Sequence, residues 1–217
     1  MEILRTANAG VLLKLDGVTI LLDGVCREVK PYLATPSRQR ENLASNWPDA
    51  VAFTHAHKDH YDPGFAAAYT RQTGGVIFGP VGLPGVQTTQ DPGKVGDVTV
   101  VPVKSRHIGA AGKTTPHCSF ILSGSRCVWF LGDASPLQWE GRDDLPKPDV
   151  LIVPYAYAIT PSAWRTAKAL CNKTILLVHM PLQEYDPNGL WNLVTTVTGG
   201  ADGTTFYTPA MEEYIEI

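Results

Sequence analysis

Six consecutive positions limit this chain more than any bulk property does. Within Thr54-His55-Ala56-His57-Lys58-Asp59-His60, positions 55 to 60 hold three imidazoles and a carboxylate, directly behind the apolar run Ala50-Val51-Ala52-Phe53. Such a run reads as a short buried strand, so the cluster falls at its C-terminal end and in the loop beyond. Strand spacing sets His55 and His57 on one face, because side chains at i and i+2 point the same way. A following turn lets Asp59 and His60 approach from another side. Two neighbouring sets of nitrogen and oxygen donors result, and neutral imidazole with carboxylate suits zinc, iron or manganese. A lone histidine is usually structural or solvated; four ligand-type residues in six point to metal.

The bulk properties narrow the setting. The chain has 217 residues with no visible linker, which fits one domain over residues 1–217 with a substantial core. Hydrophobic content of 44% and charged content of 18% exclude a disordered chain. The net charge is −3 and there is no basic run, so binding to duplex nucleic acid is not expected. No apolar run approaches membrane-spanning length, and Met1-Glu2-Ile3-Leu4-Arg5 lacks a signal-peptide pattern. Cys26, Cys118, Cys127 and Cys171 form no Cys-x-x-Cys pair, which fits reduced thiols and a cytoplasmic protein.

Taken in order, the chain alternates strands with helical segments. Val11–Leu15 and Val18–Asp23 flank Asp16-Gly17, a strong two-residue hairpin signal. Residues 24–48 lose periodicity and carry three prolines; the expectation is a long loop with one helical turn, either a flap over the metal cluster or a surface excursion. Asp62-Pro63 is a cap followed by proline at the first helical position, with a helix to Gln72. Strands are expected at Val76–Phe78 and Asp97–Val103. A hairpin follows from Cys118–Leu122 and Arg126–Leu131 across Gly124-Ser125, in a register that sets Cys127 opposite Leu122. Asp149–Val153 and Thr174–Val178 are further strands, separated by a helix from Pro161 to about Cys171. A helix over Gly189–Val197 and two short strands close the chain.

His107, Asp133 and His179 all stand at the ends of expected strands. Strand-end loops on one rim are where rigid sheets collect catalytic groups. This order of motifs, with His-x-His-x-Asp-His behind an apolar strand, resembles the metallo-β-lactamase superfamily along most of the chain. The resemblance implies an α+β fold, the four-layer αββα sandwich, with two divalent metal ions at one edge. It implies that His55, His57 and His107 hold one ion, that Asp59, His60 and His179 hold the other, and that Asp133 bridges them. Asp23 matches the early aspartate that supports a ligand from behind. Zinc is the expected metal, with manganese or iron as alternatives.

The third histidine of the first set has two candidates. His107 ends its strand, whereas His117 in Thr115-Pro116-His117 directly precedes the next one. The branch similar to L-ascorbate-6-phosphate lactonase and uncharacterised hydrolases has an insertion here, which favours His107 and leaves His117 as a rim residue contacting substrate. Asn8-Ala9-Gly10 departs from that branch, which carries a histidine near the first strand. Tyr155 and Tyr157 follow a strand on the same rim and are candidate substrate contacts or oxyanion donors, and Trp139 is a candidate pocket wall.

Two dications acidify a shared water and polarise the bond under attack. The resemblance therefore implies a hydrolase that uses metal-bound hydroxide on an ester, lactone or phosphodiester, with Asp59 and Asp133 central to catalysis. Two dications against two ligating carboxylates and a hydroxide imply an anionic small-molecule substrate. Oligomeric state is not legible. The alternatives are an iron-dependent, sulfur dioxygenase-like oxidoreductase and a non-catalytic metal-binding protein of the same fold. Flavodiiron relatives usually have glutamate where His57 stands, and length leaves no room for a flavodoxin domain, a β-CASP insertion or a long exosite arm.

Overall fold

In the computed structural model, residues 1–199 and 203–217 are described. The first sheet is built from β1 (Glu2–Arg5), β2 (Val11–Leu15), β3 (Val18–Leu22), β4 (Ala50–Ala52) and β5 (Ile77–Phe78), closed at its edge by β13 (Tyr214–Glu216). Their order across the sheet is β13-β1-β2-β3-β4-β5. The second sheet contains β6 (Gly93–Val95), β7 (Val98–Arg106), β8 (Pro116–Ser123), β9 (Cys127–Phe130), β10 (Val150–Pro154), β11 (Thr174–Val178) and β12 (Thr205–Tyr207). There the order is β12-β11-β10-β9-β8-β7-β6.

Alternation along the strands explains why the sheets stack. Leu13, Ile20, Leu22, Ala50 and Ala52 of the first sheet share one core with Phe120, Leu122, Val128, Phe130, Ile152 and Leu176 of the second. Their sequence neighbours point the other way. Leu21, Val51 and Phe53 pack on Phe65 and Tyr69 of α2 (Pro63–Thr73) and on Leu43 of α1 (Ser37–Ser45). Trp129, Leu151, Val153, Ile175 and Leu177 pack on α3 (Ala156–Ile159), α4 (Pro161–Leu170) and α5 (Leu190–Thr198). Strands buried on both faces thus lie between helix layers, giving the αββα sandwich. Each large apolar side chain fully buried here contributes about 1.5–3 kcal/mol. Among the described residues no helix is long and apolar enough to cross a membrane.

Local signals act as their chemistry dictates. Asp16 and Gly17 both take positive φ, at 50° and 82°, and close the β2–β3 hairpin. The Asp62 carboxylate accepts from Phe65 N at 2.8 Å and caps α2 ahead of Pro63. Three expectations need correction. The β8–β9 hairpin pairs Ser123 with Cys127 and Leu122 with Val128, one residue away from the expected register. Its turn is longer because Asp16 reaches across and accepts from Ser125 N at 2.6 Å. Residues 24–48 contain a full helix, α1, rather than one turn. β4 stops at Ala52, so His55 and His57 belong to the loop beyond the strand rather than to the strand itself.

Candidate metal centre

One edge of the sandwich receives strand ends from both sheets. The first sheet supplies Asn8 between β1 and β2, Asp23 after β3, and the loop 54–60 after β4. The second supplies His107 after β7, Asp133 after β9, Tyr155 after β10 and His179 after β11. Backbone bonds stitch the two sides together: Cys118 N donates to Thr54 O at 2.9 Å, and His179 N donates to Asn8 O at 3.0 Å.

Loop geometry does what strand spacing could not. Thr54, His55 and His60 are buried, while Ala56 and Lys58 face solvent. His60 N and Tyr61 N both donate to His57 O, which curls the loop and folds His60 back under His55. The His55 and His57 rings lie 4.5 Å apart between centroids, and His55 and His60 lie 4.2 Å apart.

Asp23 organises this loop from behind. It is fully buried at positive φ, and its carboxylate accepts from Thr54 N at 2.7 Å, Thr54 Oγ1 at 2.6 Å and His60 Nδ1 at 2.8 Å. Thr54 Oγ1 has spent its single proton on Asp23, so at 2.9 Å from His55 Nδ1 it can only accept. Both His55 and His60 therefore carry their proton on Nδ1 and aim a free Nε2 lone pair inward. His107 is set the same way, with Nδ1 2.8 Å from Ile108 O. This outer layer of acceptors is the arrangement that fixes metal-binding tautomers.

The inward atoms have no hydrogen-bond partner. Nε2 of His55, His60 and His107 are all buried and unpaired, a costly arrangement without a ligand to receive the lone pairs. Ligand atoms of His55, His57 and His107 fall within 4.8 Å of one another, as do those of Asp59, His60 and His179. Asp133 Oδ2 is 3.7 Å from His107 Nε2, 3.4 Å from His60 Nε2 and 3.8 Å from His179 Nε2, and so touches both sets. Asp59 Oδ2 is 3.3 Å from His179 Nε2. Donors at about 2.1 Å from one tetrahedral ion lie about 3.4 Å apart, so the spacing within these groups is compatible with holding divalent metal.

Ionisation follows from burial and neighbours. Burial pushes His55 well below the usual imidazole range and, with His107 close by, lowers His57 too; neutral imidazole is the ligating form. Burial opposes charge on Asp133 and Asp59, but the facing imidazoles outweigh it and hold both carboxyls below their ordinary range. Without an ion His60 goes the other way: burial disfavours its charge, yet Asp133 and Asp23 on either side raise it well above 6.5, so an ion at its Nε2 would displace a proton to reach the lone pair.

Gly132 precedes Asp133 at φ +55, and a Cβ there would sit 2.5 Å from Thr54 Cγ2. Only glycine lets the Asp133 loop pass so close to the Asp23–Thr54 network.

Several expected residues fall elsewhere. His117 stays beside the cluster but is buried at the start of β8, its Nδ1 2.7 Å from Ser105 Oγ, its Nε2 unpaired like those of His55, His60 and His107, and its ring 5.1 Å from that of His55. Burial holds it at about 3, hence neutral. Tyr157 is fully buried and donates to Ala134 O at 2.6 Å, so its hydroxyl props the Asp133 loop instead of facing substrate. Trp139 lies in the helix-side core against Trp129. Tyr155 stays near the centre, with its ring 6.4 Å from His179.

Two residues at the centre carry no sequence motif. Tyr32, from the loop 24–36, stands edge-on to His179 at 4.4 Å, and its hydroxyl meets that of Tyr155 at 3.3 Å. Arg27 N donates to Lys58 O at 2.7 Å and ties this loop over the cluster as a flap. Arg5 is a buried guanidinium clamped by the carbonyls of Ala7, Asn8, Met180 and Pro209, and burial lowers it to about 10. Its only advance signal is a charge inside an apolar strand.

A model of the β-lactamase superfamily domain matches residues 4–179, a span that includes every ligand candidate. The chain is a member of the metallo-β-lactamase superfamily. Among solved metallo-β-lactamase-fold structures it is similar to an isothiocyanate hydrolase from Delia radicum gut bacteria, with 17% identity, 100% of this chain and 99% of that chain covered, and a TM-score of 0.71. A possible metal-dependent hydrolase from Veillonella parvula matches at 16% identity over 100% and 99% of the two chains, with a TM-score of 0.71. A diiron β-hydroxylase from Streptomyces venezuelae matches at 14% identity and a TM-score of 0.65, covering 100% of this chain and 54% of that one. At these identities the likeness establishes the fold. No curated protein matches the sequence.

Proposed function

We propose that this metallo-β-lactamase-fold protein is a metal-dependent hydrolase with a binuclear centre, acting on a small-molecule ester, lactone or phosphodiester. The observation that carries it is the set of buried, unpaired Nε2 atoms on His55, His60 and His107, flanked by Asp59 and Asp133. His55, His57 and His107 would hold one ion and Asp59, His60 and His179 the other, with Asp133 shared. Zinc is our first expectation. Bound there, divalent metal supplies an acidified water as nucleophile and polarises the scissile carbonyl or phosphoryl group.

The chain's own residues do the rest. Asp23 and Thr54 hold His55 and His60 in the ligating tautomer. Asp59 and Asp133, only slightly exposed and held ionised by the facing imidazoles, would supply carboxylate oxygens to the ions, and an oxygen not engaged there would accept a hydrogen bond from the attacking water and orient it. Tyr155 and Tyr32 place hydroxyls beside His179, where one can donate to charge developing on the substrate. Tyr32 and its loop keep bulk water off that side. A groove of about 880 Å³ beside Tyr32, lined by Lys30, Leu33, Tyr185 and Pro187 among others, offers the remainder of a substrate a partly apolar wall.

The charge balance is less cationic than the ligand motif implies. Asp23 is fully buried 2.8 Å from His60 and adds a third carboxylate to Asp59 and Asp133. Two dications then leave one positive charge before any hydroxide, so neutral esters and lactones join anions as substrates. The test is elemental analysis of protein purified without chelators, followed by a panel of esters, lactones and phosphodiesters with the metal-stripped protein as control. Iron with no hydrolysis would move the chemistry to oxidation, and no metal uptake would sink the proposal.

A further inference from the structure

We propose that Asn8 is a metal ligand: its side-chain amide oxygen joins Asp59, His60 and His179 around the second ion. The inference rests on the binuclear reading and adds to it a donor that the histidine and aspartate motifs do not include.

Asn8 is 2% exposed and locked to His179 through its backbone. Its carbonyl accepts from His179 N at 3.0 Å and from Arg5 Nη2 at 3.0 Å, and the same Arg5 nitrogen bonds Met180 O at 2.6 Å. The side-chain amide has one end, Nδ2, 3.3 Å from His179 Nε2. Its other end, Oδ1, is buried with no partner. His179 Nε2 is also the atom 3.3 Å from Asp59 Oδ2, so it is the nitrogen that faces the ion.

One lone pair cannot serve both an N–H and a metal. Once His179 Nε2 binds an ion, the Asn8 amide loses its bond there and both its ends are buried without partners, at a cost of about 1–3 kcal/mol per group. A half-turn about the last side-chain torsion, which is broad and two-fold, exchanges nitrogen for oxygen without moving the rest of the residue. The oxygen then stands 3.3 Å from His179 Nε2, close to the spacing of two donors on one ion. An amide oxygen is a neutral, hard donor that suits divalent cations. Asn8 thereby satisfies its own oxygen and completes the second site.

Full-length protein stripped with chelator and titrated with Zn2+ against a chromophoric competitor tests this. The wild type should take up two equivalents. Asn8→Ala should bind the first normally and the second at least tenfold more weakly. Asn8→Asp keeps an oxygen at the same place and should bind the second as tightly as wild type, or tighter. A residue that merely donates N–H to His179 predicts the opposite for Asn8→Asp, since a carboxylate has no proton to give. Both substitutions retain the backbone carbonyl that holds Arg5 and His179, and thermal melts of the metal-free forms check the fold. Second-equivalent affinity within twofold of wild type in Asn8→Ala, or Asn8→Asp as weak as Asn8→Ala, overturns the assignment. Two equivalents at unchanged affinity in every variant refutes Asn8 alone, whereas one equivalent in the wild type refutes the binuclear centre and Asn8 with it.

Discussion

Replacing Asp23 by asparagine should cost metal affinity without opening a cavity, and the size of the loss follows from three hydrogen bonds. The carboxylate accepts from Thr54 N, Thr54 Oγ1 and His60 Nδ1 at 2.7, 2.6 and 2.8 Å. Alanine is a poor probe. It would leave the buried Thr54 and His60 N–H groups without acceptors, at about 1–3 kcal/mol each, and it would add about 1–2 kcal/mol for a left-handed backbone. Asparagine has the same shape and tolerates the φ of 47° found here. Its oxygen can still serve Thr54 N, but its NH2 then faces Thr54 Oγ1 and His60 Nδ1, which now must accept. His60 is driven to carry its proton on Nε2, and Thr54, freed to donate, drives His55 the same way. Neither Nε2 can then ligate.

Loss of such an orienting partner typically weakens metal binding 10- to 100-fold, about 1.4–2.7 kcal/mol. Competition against a chromophoric chelator would measure it, with urea unfolding of the metal-free proteins as the control for global damage. Asp23→Asn binding metal within twofold of wild type would refute the tautomer argument, and with it the reason given for the buried Asp23.

Two further outcomes follow from the same geometry. In metal-free protein, His55 and His117 are neutral when folded but charge below about pH 6.5 when unfolded, so stability should fall as pH drops below 6.5, by up to about 1.4 kcal/mol per pH unit for each. His60, raised in the fold, contributes stability below 6.5 that is lost as pH rises through its folded value, so urea midpoints should peak near neutrality; a midpoint rising steadily towards pH 5 would contradict this. His107→Ala should lose one metal equivalent while His117→Ala, which removes a buried ring packed on His55, should keep both; elemental analysis giving the reverse would transfer the ligand role to His117.

Legibility in the sequence tracks how local each cause is. The Asp16-Gly17 hairpin, the Asp62-Pro63 helix start and the strand Thr174–Val178 depend on neighbours in the chain, and each lies where expected. The candidate ligands are legible as a cluster because loop and strand ends carry them in recognisable order. What depends on distant partners is not. The β8–β9 register slips by one because Asp16, more than a hundred residues away, holds Ser125 in the turn. α1 has no side-chain cap and buries only Gln39 and Leu43, so its pattern is faint. Arg5 looks like a surface charge until carbonyls from positions 7, 8, 180 and 209 converge on it. Tyr157 and Trp139 have the composition of a pocket wall, and only packing against the helix layer reveals them as core.

Both donor sets draw on both sheets, and this has a consequence for stability. His55 and His57 follow β4 while His107 follows β7; Asp59 and His60 follow β4 while His179 follows β11. Each ion would therefore cross-link the two sheets at the edge already tied by the Cys118–Thr54 and His179–Asn8 backbone bonds, by Arg5 on Met180 O and by the Tyr32–Tyr155 hydroxyl pair. An ion that binds only the folded state at a hundred times its dissociation constant adds about 2.7 kcal/mol. For a chain of this size that raises the melting temperature by about 5–10 °C per ion. Melting of stripped protein at increasing metal should show that rise, logarithmic in free metal. Hydrogen exchange distinguishes a cross-link from a local loop effect, because amides after β4, β7 and β11 should gain protection together. Protection confined to residues 54–60, with metal bound by elemental analysis, would mean that the ions are held by one loop and do not join the sheets.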